Sequence, residues 1–249
     1  MRNITSDRLD GVTSQALALE LDLPLVHVFE HVGSTMDVAA TLGDRGAVAG
    51  TLIVADAQRS GRGRGGRYWA SATGRGIWFT LLERPNDPSA LPVLPLRIGL
   101  RMARVLERWT EAPIRLKWPN DLYVGESKLA GILIEARWRE QRLDWIAIGV
   151  GINMQLPAGV PRAAHLTSDA TRRKVLGELT PQIRAAVSAR GALTAKELHD
   201  YTARDFARGK RCRTPGNGVV LGIAEGGELL VETAAGRERY HSGSLELES

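Results

Sequence analysis

Ile114-Arg115-Leu116-Lys117-Trp118-Pro119-Asn120-Asp121-Leu122-Tyr123-Val124-Gly125-Glu126-Ser127-Lys128-Leu129-Ala130-Gly131-Ile132-Leu133-Ile134-Glu135 decides the fold class. Short apolar runs bounded by turn residues read as strands over Ile114 to Trp118, Asp121 to Val124 and Lys128 to Trp138, and a further run spans Leu143 to Asn153. Pro119 ends the first run and leaves Asn120 and Asp121 at a turn. Gly125-Glu126-Ser127 is short enough to make the middle pair a hairpin, so neighbouring strands in this region are antiparallel.

Upstream, Leu25 to Phe29 reads as a strand after a short amphipathic stretch from Ser14 to Leu21. Ser34-Thr35-Met36-Asp37 opens a helix to about Leu42, with Ser34 or Thr35 as N-cap and Asp37 near the positive end of the dipole. Strands follow at 51–57 and from Ile77 to Leu82, then a proline-marked loop and a helix at about 95–110. On that helix Arg97, Arg101, Arg104 and Arg108 share one face and are expected to be solvated, opposite Ile98, Met102, Val105, Leu106 and Trp109. Helices are predicted within Lys174–Ala189 and Thr194–Phe206, with Pro181 expected to break or start one of them. After Gly209, short strands alternate with turns at Gly216-Asn217-Gly218, Glu225-Gly226-Gly227 and Ala234-Ala235-Gly236, the pattern of a small β-barrel.

Between the strands at 51–57 and Ile77–Leu82 lies Gly61-Arg62-Gly63-Arg64-Gly65-Gly66-Arg67-Tyr68-Trp69. No Asp or Glu occurs from Ala57 to Leu82, whereas Arg59, Arg62, Arg64, Arg67 and Arg75 all do, so the local field is strongly positive. Glycines let the backbone approach a ligand closely, and guanidinium groups offer planar bidentate donors to carboxylate or phosphate. Three readings compete: an RNA-binding Arg-Gly segment, a solvated basic turn and an anion-holding ligand loop. The flanking apolar strand disfavours the first, and four glycines would cost a mere turn entropy without return. A P-loop is disfavoured because no Gly-Lys-Ser/Thr ending follows.

With 249 residues, 43% hydrophobic and 24% charged, the composition is that of an ordinary globular chain. A net charge of +5 points to polyanionic or acidic partners. Cys212 stands alone, which excludes an internal disulfide and a cysteine-based zinc site. His27, His31, His165, His199 and His241 show no ligand spacing. No apolar leader or membrane-length run is seen, so a cytoplasmic protein that contacts no membrane is expected. Only 33 residues precede Ser34, too few for a separate DNA-reading domain, and no specific DNA binding is expected.

The glycine-arginine loop, Lys117-Trp118-Pro119-Asn120-Asp121, Lys128-Leu129-Ala130-Gly131-Ile132-Leu133 and Gly149-Val150-Gly151-Ile152-Asn153 occur in this order, and with them the chain resembles the biotin protein ligases. The match runs from about Leu25 to the C-terminus and is strongest from 51 to 153; Met36 stands where that family commonly has Asn. The resemblance implies an α+β fold: a class II synthetase-like central mixed or antiparallel sheet with flanking helices over residues 1–207, and a small SH3-like β domain over 208–249. It implies adenylation of biotin by Mg-ATP, then transfer of biotin to a lysine on the carboxyl carrier domain of a biotin-dependent carboxylase. It also implies a homodimer through the central sheet.

By the same resemblance, Ser34, Thr35, Gln58, Gly61, Arg62, Arg64, Lys128 and Gly131 serve biotin. Arg64, Arg67, Trp69, Asn120, Lys128 and Asn153 serve the nucleotide, with Trp69 stacking on adenine. Lys128 is the main catalytic cation; Arg64 and Asp121 complete the catalytic set, Asp121 either pairing with a loop arginine or orienting the incoming lysine. No metal ligands are assigned. The chemistry fits the residue types, since joining two anions calls for fixed cations and backbone N–H groups. Two rivals remain: a lipoate or octanoate ligase of the same fold, and a nucleic-acid-binding protein, suggested by the basic charge.

Overall fold

The computed structural model describes residues 3–248; Met1, Arg2 and Ser249, at the outer ends of the two expected segments, lie outside the described residues. Strands β1 (Ile4–Ser6), β2 (Arg8–Leu9) and β3 (Val12–Thr13) lead into helix α1 (Ser14–Glu20), where the Thr13 hydroxyl accepts from the Ala16 amide. Strand β4 (Leu25–Val32), helix α2 (Thr35–Asp44) and strand β5 (Thr51–Gln58) form a crossover, so β4 and β5 are parallel. Next come β6 (Gly76–Glu83), α3 (Leu94–Leu106), β7 (Ile114–Lys117), β8 (Asp121–Val124), β9 (Ser127–Arg139) and β10 (Arg142–Asn153). They complete a mixed eight-stranded sheet in the order β1-β4-β5-β6-β10-β9-β8-β7. Helices α4 (Arg172–Val187) and α5 (Ala195–Arg204) follow. The chain ends in a second, antiparallel sheet of β11 (Arg211–Thr214), β12 (Gly218–Ile223), β13 (Leu229–Thr233), β14 (Gly236–Tyr240) and β15 (Glu246–Leu247), which fits an SH3-like domain.

Both faces of the large sheet are covered, and the period-two alternation of each strand divides its side chains between them. Leu52 and Val54 of β5, Phe79 of β6 and Ile146, Ile148, Val150 and Ile152 of β10 join α1, α3 and α4 in one core. Ile53, Ala55, Leu82, Trp145 and Ala147 point the other way and pack on α2 through Met36 and Ala39. Gly149 and Gly151 share the parity of Ala147, so they lie bare on the α2 face. Gly131 is paired in register with Gly151. This face carries the site.

Two expectations are corrected. Of the four arginines expected to be solvated, Arg104 and Arg108 are exposed and Arg101 is half-buried, but Arg97 is covered by α5 and the segment before it: it is 1% exposed and donates to Glu197 (2.6 Å) and to the Ala192 carbonyl (2.9 Å). Arg101 donates to Gln182, Arg104 to Asp200 and Arg108 to Glu178. Pro181 neither starts nor breaks a helix; it lies inside α4. Val175, Leu176 and Leu179 before it and Ile183 and Ala186 after it are all buried, and that burial outweighs a lost backbone bond costing about 3 kcal/mol.

We propose a domain boundary near 207/208, where the chain passes from one sheet to the other. Apolar packing continues across it, since Cys212, Val220, Leu229, Val231 and Leu245 belong to the same core as α3.

Burial pushes the Glu197 carboxyl up, but hydrogen bonds from Arg97 and from the Thr194 backbone and hydroxyl bring it below its usual value. A depressed carboxyl stabilises the fold above its unfolded pKa, and the contribution is lost as pH falls through the folded value. Glu197→Ala should therefore cost about 3 kcal/mol at pH 7 by leaving Arg97 buried and unpaired. In urea titrations across pH, the gap between parent and variant should close below about pH 4; a gap that does not change with pH would assign the effect to helix capping alone.

Candidate functional site

The cleft opens at the N-terminal end of α2, over the glycine-bearing stretch of β9 and β10, and has a cavity volume of about 140 Å³. The geometry follows from the side chains those glycines lack. The Trp69 indole is seated on them: a Cβ on Gly151 would come within 2.6 Å of the ring and one on Gly131 within 3.0 Å. Met36 fills the neighbouring gap over Gly149, where a Cβ would meet its sulfur at 2.6 Å.

A directed chain of hydrogen bonds fixes the entry to the loop. The Thr80 hydroxyl donates to Thr35 Oγ1 (2.8 Å), and the Thr35 hydroxyl (3.1 Å) and amide (2.9 Å) both donate to Gln58 Oε1. Gln58 Nε2 donates to Ser71 Oγ (2.8 Å), whose hydroxyl donates to the Trp69 carbonyl (3.0 Å). Gly61 accepts from the Trp69 amide at 2.9 Å and has no room for a side chain, because a Cβ would lie 2.2 Å from the Trp69 carbonyl oxygen. Ser34 caps α2 by accepting from the Met36 amide at 3.3 Å. At the tip, Gly65 and Gly66 take φ of +63° and +74°, which turns the chain back so that the Gly63 amide reaches the Arg67 carbonyl at 2.8 Å.

The three loop arginines have different partners. Arg62 bridges Asp37 of α2 (2.7 Å) and Glu135 of β9, so its charge is spent holding the loop to both elements. Arg64 lines the cleft, where burial lowers its affinity for a proton, the nearby Asp121 offsets part of this and Arg67 adds to it; a guanidinium stays charged there. Its outer nitrogen reaches the Gly243 carbonyl (3.4 Å), and Arg67 donates to Ser244 Oγ (2.5 Å), tying the loop to the turn before β15.

On the opposite wall, Lys128 Nζ lies 2.7 Å from Asp121 Oδ1 and 5.0 Å from the Trp69 ring centroid. Asp121 therefore pairs with Lys128, and the ion pair of Arg62 goes to Asp37 and Glu135 instead. Asn120 Nδ2 donates to the Ile132 carbonyl (2.5 Å), and Asn153 Nδ2 to the carbonyls of Lys128 (3.3 Å) and Ala164 (3.0 Å). Both amides brace backbone around the site. Segment 162–166 is held beside Lys128 through the Lys128 amide to the Arg162 carbonyl (2.7 Å) and the Ala164 amide to the Lys128 carbonyl (2.9 Å).

The structure thus brings Ser34, Thr35, Gln58, Arg62, Arg64, Arg67, Trp69, Asn120, Asp121, Lys128 and Gly131 around one cleft. Gly61 stands behind the loop, and Asn153 opens instead on a wider adjoining cavity that also includes Trp69, Lys128, Lys117, Tyr123, Phe206 and Lys210. Thr80 and Ser71 were invisible as site residues in the sequence; their only signal was a hydroxyl within Ile77-Trp78-Phe79-Thr80-Leu81-Leu82 and another just after Trp69-Ala70. In the wider cavity burial lowers the Lys117 ammonium's pKa, and the Tyr123 phenol is pushed up to about 12. Among the described residues, no group of three or more His, Cys, Asp or Glu side chains could hold a metal ion.

The chain that builds this cleft is similar to known proteins in sequence and in fold. The model of the biotin/lipoate A/B protein ligase family matches residues 28–153. The bifunctional ligase/repressor BirA of Bacillus subtilis is 32% identical over 240 residues, covering 89% of this chain and 74% of that protein. The biotin–[acetyl-CoA-carboxylase] ligase of Mycobacterium tuberculosis is 31% identical, covering 79% and 77%. Among solved structures, the biotin protein ligase from Aquifex aeolicus in complex with biotin and ATP superposes with a TM-score of 0.74 at 29% identity, over 90% of this chain and 98% of that one. By motif order, fold and cleft, the chain belongs to the biotin/lipoate A/B protein ligase family and is a biotin protein ligase.

Proposed function

We propose that this protein activates biotin with ATP to biotinyl-5'-AMP and transfers the biotinyl group to one lysine of a biotin carboxyl carrier domain. The observation that carries this reading is the juxtaposition, in one cleft, of the Lys128–Asp121 pair with the glycine-arginine loop. In the first step a carboxylate oxygen of biotin attacks the α-phosphorus and pyrophosphate departs. Lys128 can leave Asp121 for the incoming carboxylate and α-phosphate, offsetting the repulsion of two anions. In the second step the acceptor amine attacks the acyl carbon, the bond to the phosphate oxygen breaks, AMP leaves and the nitrogen loses a proton. Asp121, freed from Lys128, is placed to orient that amine.

The neutral ring system of biotin is assigned to the end of the cleft beside Ser34, Thr35 and Gln58, over Gly131, with the nucleotide toward Trp69 and Arg67. Mg2+ is expected to arrive with ATP and neutralise phosphate charge. No described helix is long and apolar enough to cross a membrane. We place the protein in the cytoplasm and expect no sequence-specific DNA binding; a homodimer through the large sheet remains a proposal.

Pyrophosphate exchange into ATP, run with biotin, lipoate and octanoate, tests the reading: biotin should drive it, and exchange driven by lipoate or octanoate alone would overturn it. Lys128→Ala should stay folded and lower biotin-dependent pyrophosphate release by about two orders of magnitude or more, whereas near-parental adenylate formation would remove Lys128 from its role. Arg64→Gly should still form the adenylate at a raised biotin requirement but release it, because the loop loses the contact that offsets its closing entropy. Biotin attached to an unrelated lysine-rich protein measures that leak; labelling no higher than with the parent would make the loop a binding element only.

A further inference from the structure

The cleft, at about 140 Å³, is too small for biotin and a nucleotide together, and at Trp69 and Lys128 it adjoins the wider cavity of about 810 Å³. Whatever part of ATP the cleft does not hold extends into that cavity. Among the cations on its wall, Lys128 pairs with Asp121 (2.7 Å) and Lys210 with Glu126 (3.1 Å), while Arg162 sits at the exposed rim. Lys117 differs from all three. It is half-buried, and among the described residues its ammonium forms no hydrogen bond and no ion pair. Its nitrogen lies over the Tyr123 ring, 5.6 Å from the centroid.

A half-buried ammonium has given up water, and a ring face at that distance returns about 1 kcal/mol or less, so its donors remain for a ligand. The neighbours give the sign of that ligand. Burial lowers the Lys117 pKa, Asp121 and Glu246 offset part of this, and Lys128 and Arg67 add to it. Three cations thus act on one another here while Asp121 is already engaged by Lys128, and an anion among them relieves the repulsion. The lysine is also held in place. It ends β7 in register with Asp121 across the β7–β8 turn, and the Trp118 indole next to it donates to the Gly227 carbonyl at 2.9 Å.

We propose that Lys117 is a further catalytic cation of adenylation, which receives the departing pyrophosphate in the wider cavity. The proposal rests on the biotin-adenylating reading of the site. In-line displacement puts the entering and leaving oxygens on opposite sides of the α-phosphorus. The biotin carboxylate enters from the cleft, so the leaving oxygen is directed to the wider cavity. As the bond from the α-phosphorus to the α,β-bridging oxygen breaks, its electron pair stays on that oxygen. The Lys117 N–H groups offset the charge that gathers there, and no proton is transferred.

The test separates the two half-reactions in Lys117→Met, which keeps the stem over Tyr123 and removes the charge, and in Lys117→Arg, which keeps the charge. Biotin-dependent adenylation by Lys117→Met should fall about a hundredfold, with Lys117→Arg recovering at least about a tenth of the parental rate. Transfer from supplied biotinyl-5'-AMP to a carrier domain involves no pyrophosphate and should stay within about twofold of the parent. The reverse reaction, ATP formation from supplied biotinyl-5'-AMP and inorganic pyrophosphate, should need at least about tenfold more pyrophosphate to reach half its maximal rate. Adenylation by Lys117→Met at the parental rate, or an unchanged pyrophosphate requirement, would overturn the inference. So would adenylation and transfer falling together, which is the result of a displaced turn. Should Lys117→Met fail to fold, a crystal structure of the parent with biotin and α,β-methylene-ATP decides. A β- or γ-phosphate oxygen within hydrogen-bond reach of Lys117 Nζ supports the inference, and phosphates ordered elsewhere or not at all end it. A parent without biotin-dependent adenylation overturns the proposed function and this inference with it, whereas an active parent beside an equally active Lys117→Met overturns the inference alone.

Discussion

Trp69 lies flat on Gly131 and Gly151, and most of the site depends on that contact. The two glycines face each other across β9 and β10 on the α2 side of the sheet, where alternation would otherwise put two side chains. Their absence opens a slot about one aromatic ring deep. Once the indole occupies it, the Trp69 carbonyl and amide are fixed, and Gly61 and Ser71 must meet them at hydrogen-bond distance. The glycine-arginine loop is thus stretched between two anchored ends, Gln58 and Trp69. The same indole also presents its face to Lys128, whose other neighbour is Asp121. Floor, loop and cation are set by one packing decision.

The C-terminal sheet acts on this arrangement at two points. Trp118, one residue before the cis peptide bond to Pro119, donates its indole N–H to the Gly227 carbonyl in the β12–β13 turn at 2.9 Å. Gly243 and Ser244 receive Arg64 and Arg67. One contact steadies the strand that leads to Asn120 and Asp121; the other holds the cationic side of the loop. Because the apolar core also runs on from α3 into β12 and β13, the second sheet is a structural part of the cleft and its contacts bear on a reactive intermediate.

Much of this was legible in the sequence, for reasons that differ by residue. Strands β5 to β10 announced themselves through apolar runs and turn residues, and the hairpin turn at Gly125 followed from loop length. An N-cap at Ser34 or Thr35 followed from side-chain chemistry, and the fold selects Ser34. The anion-holding purpose expected of the loop was read from its charge and glycine content, properties that survive any fold. What the sequence hid were long-range partners. Arg62 was counted as a ligand cation because nothing local reveals that Asp37 and Glu135 would close around it. Asn120 and Asn153 carry amides suited to a ligand, and only the fold shows the backbone carbonyls that occupy them. Arg97 looked solvated because helix periodicity separates two faces without saying what covers each; Glu197 and Glu178 on later helices are the complementary half of that pattern. Pro181 was misjudged because intrinsic propensity was weighed without the burial on both sides of it.

The contact between Trp69 and the paired glycines is tested most directly by Gly151→Ala, which adds one methyl group where the indole lies. Nucleotide binding should be followed by calorimetry and folding by thermal unfolding in the same preparation. The indole has to leave its slot to make room, so affinity for ATP should fall at least about tenfold while the melting midpoint moves by only a few degrees. ATP affinity equal to that of the parent in a folded Gly151→Ala protein would show that the seat of Trp69 does not set the cleft.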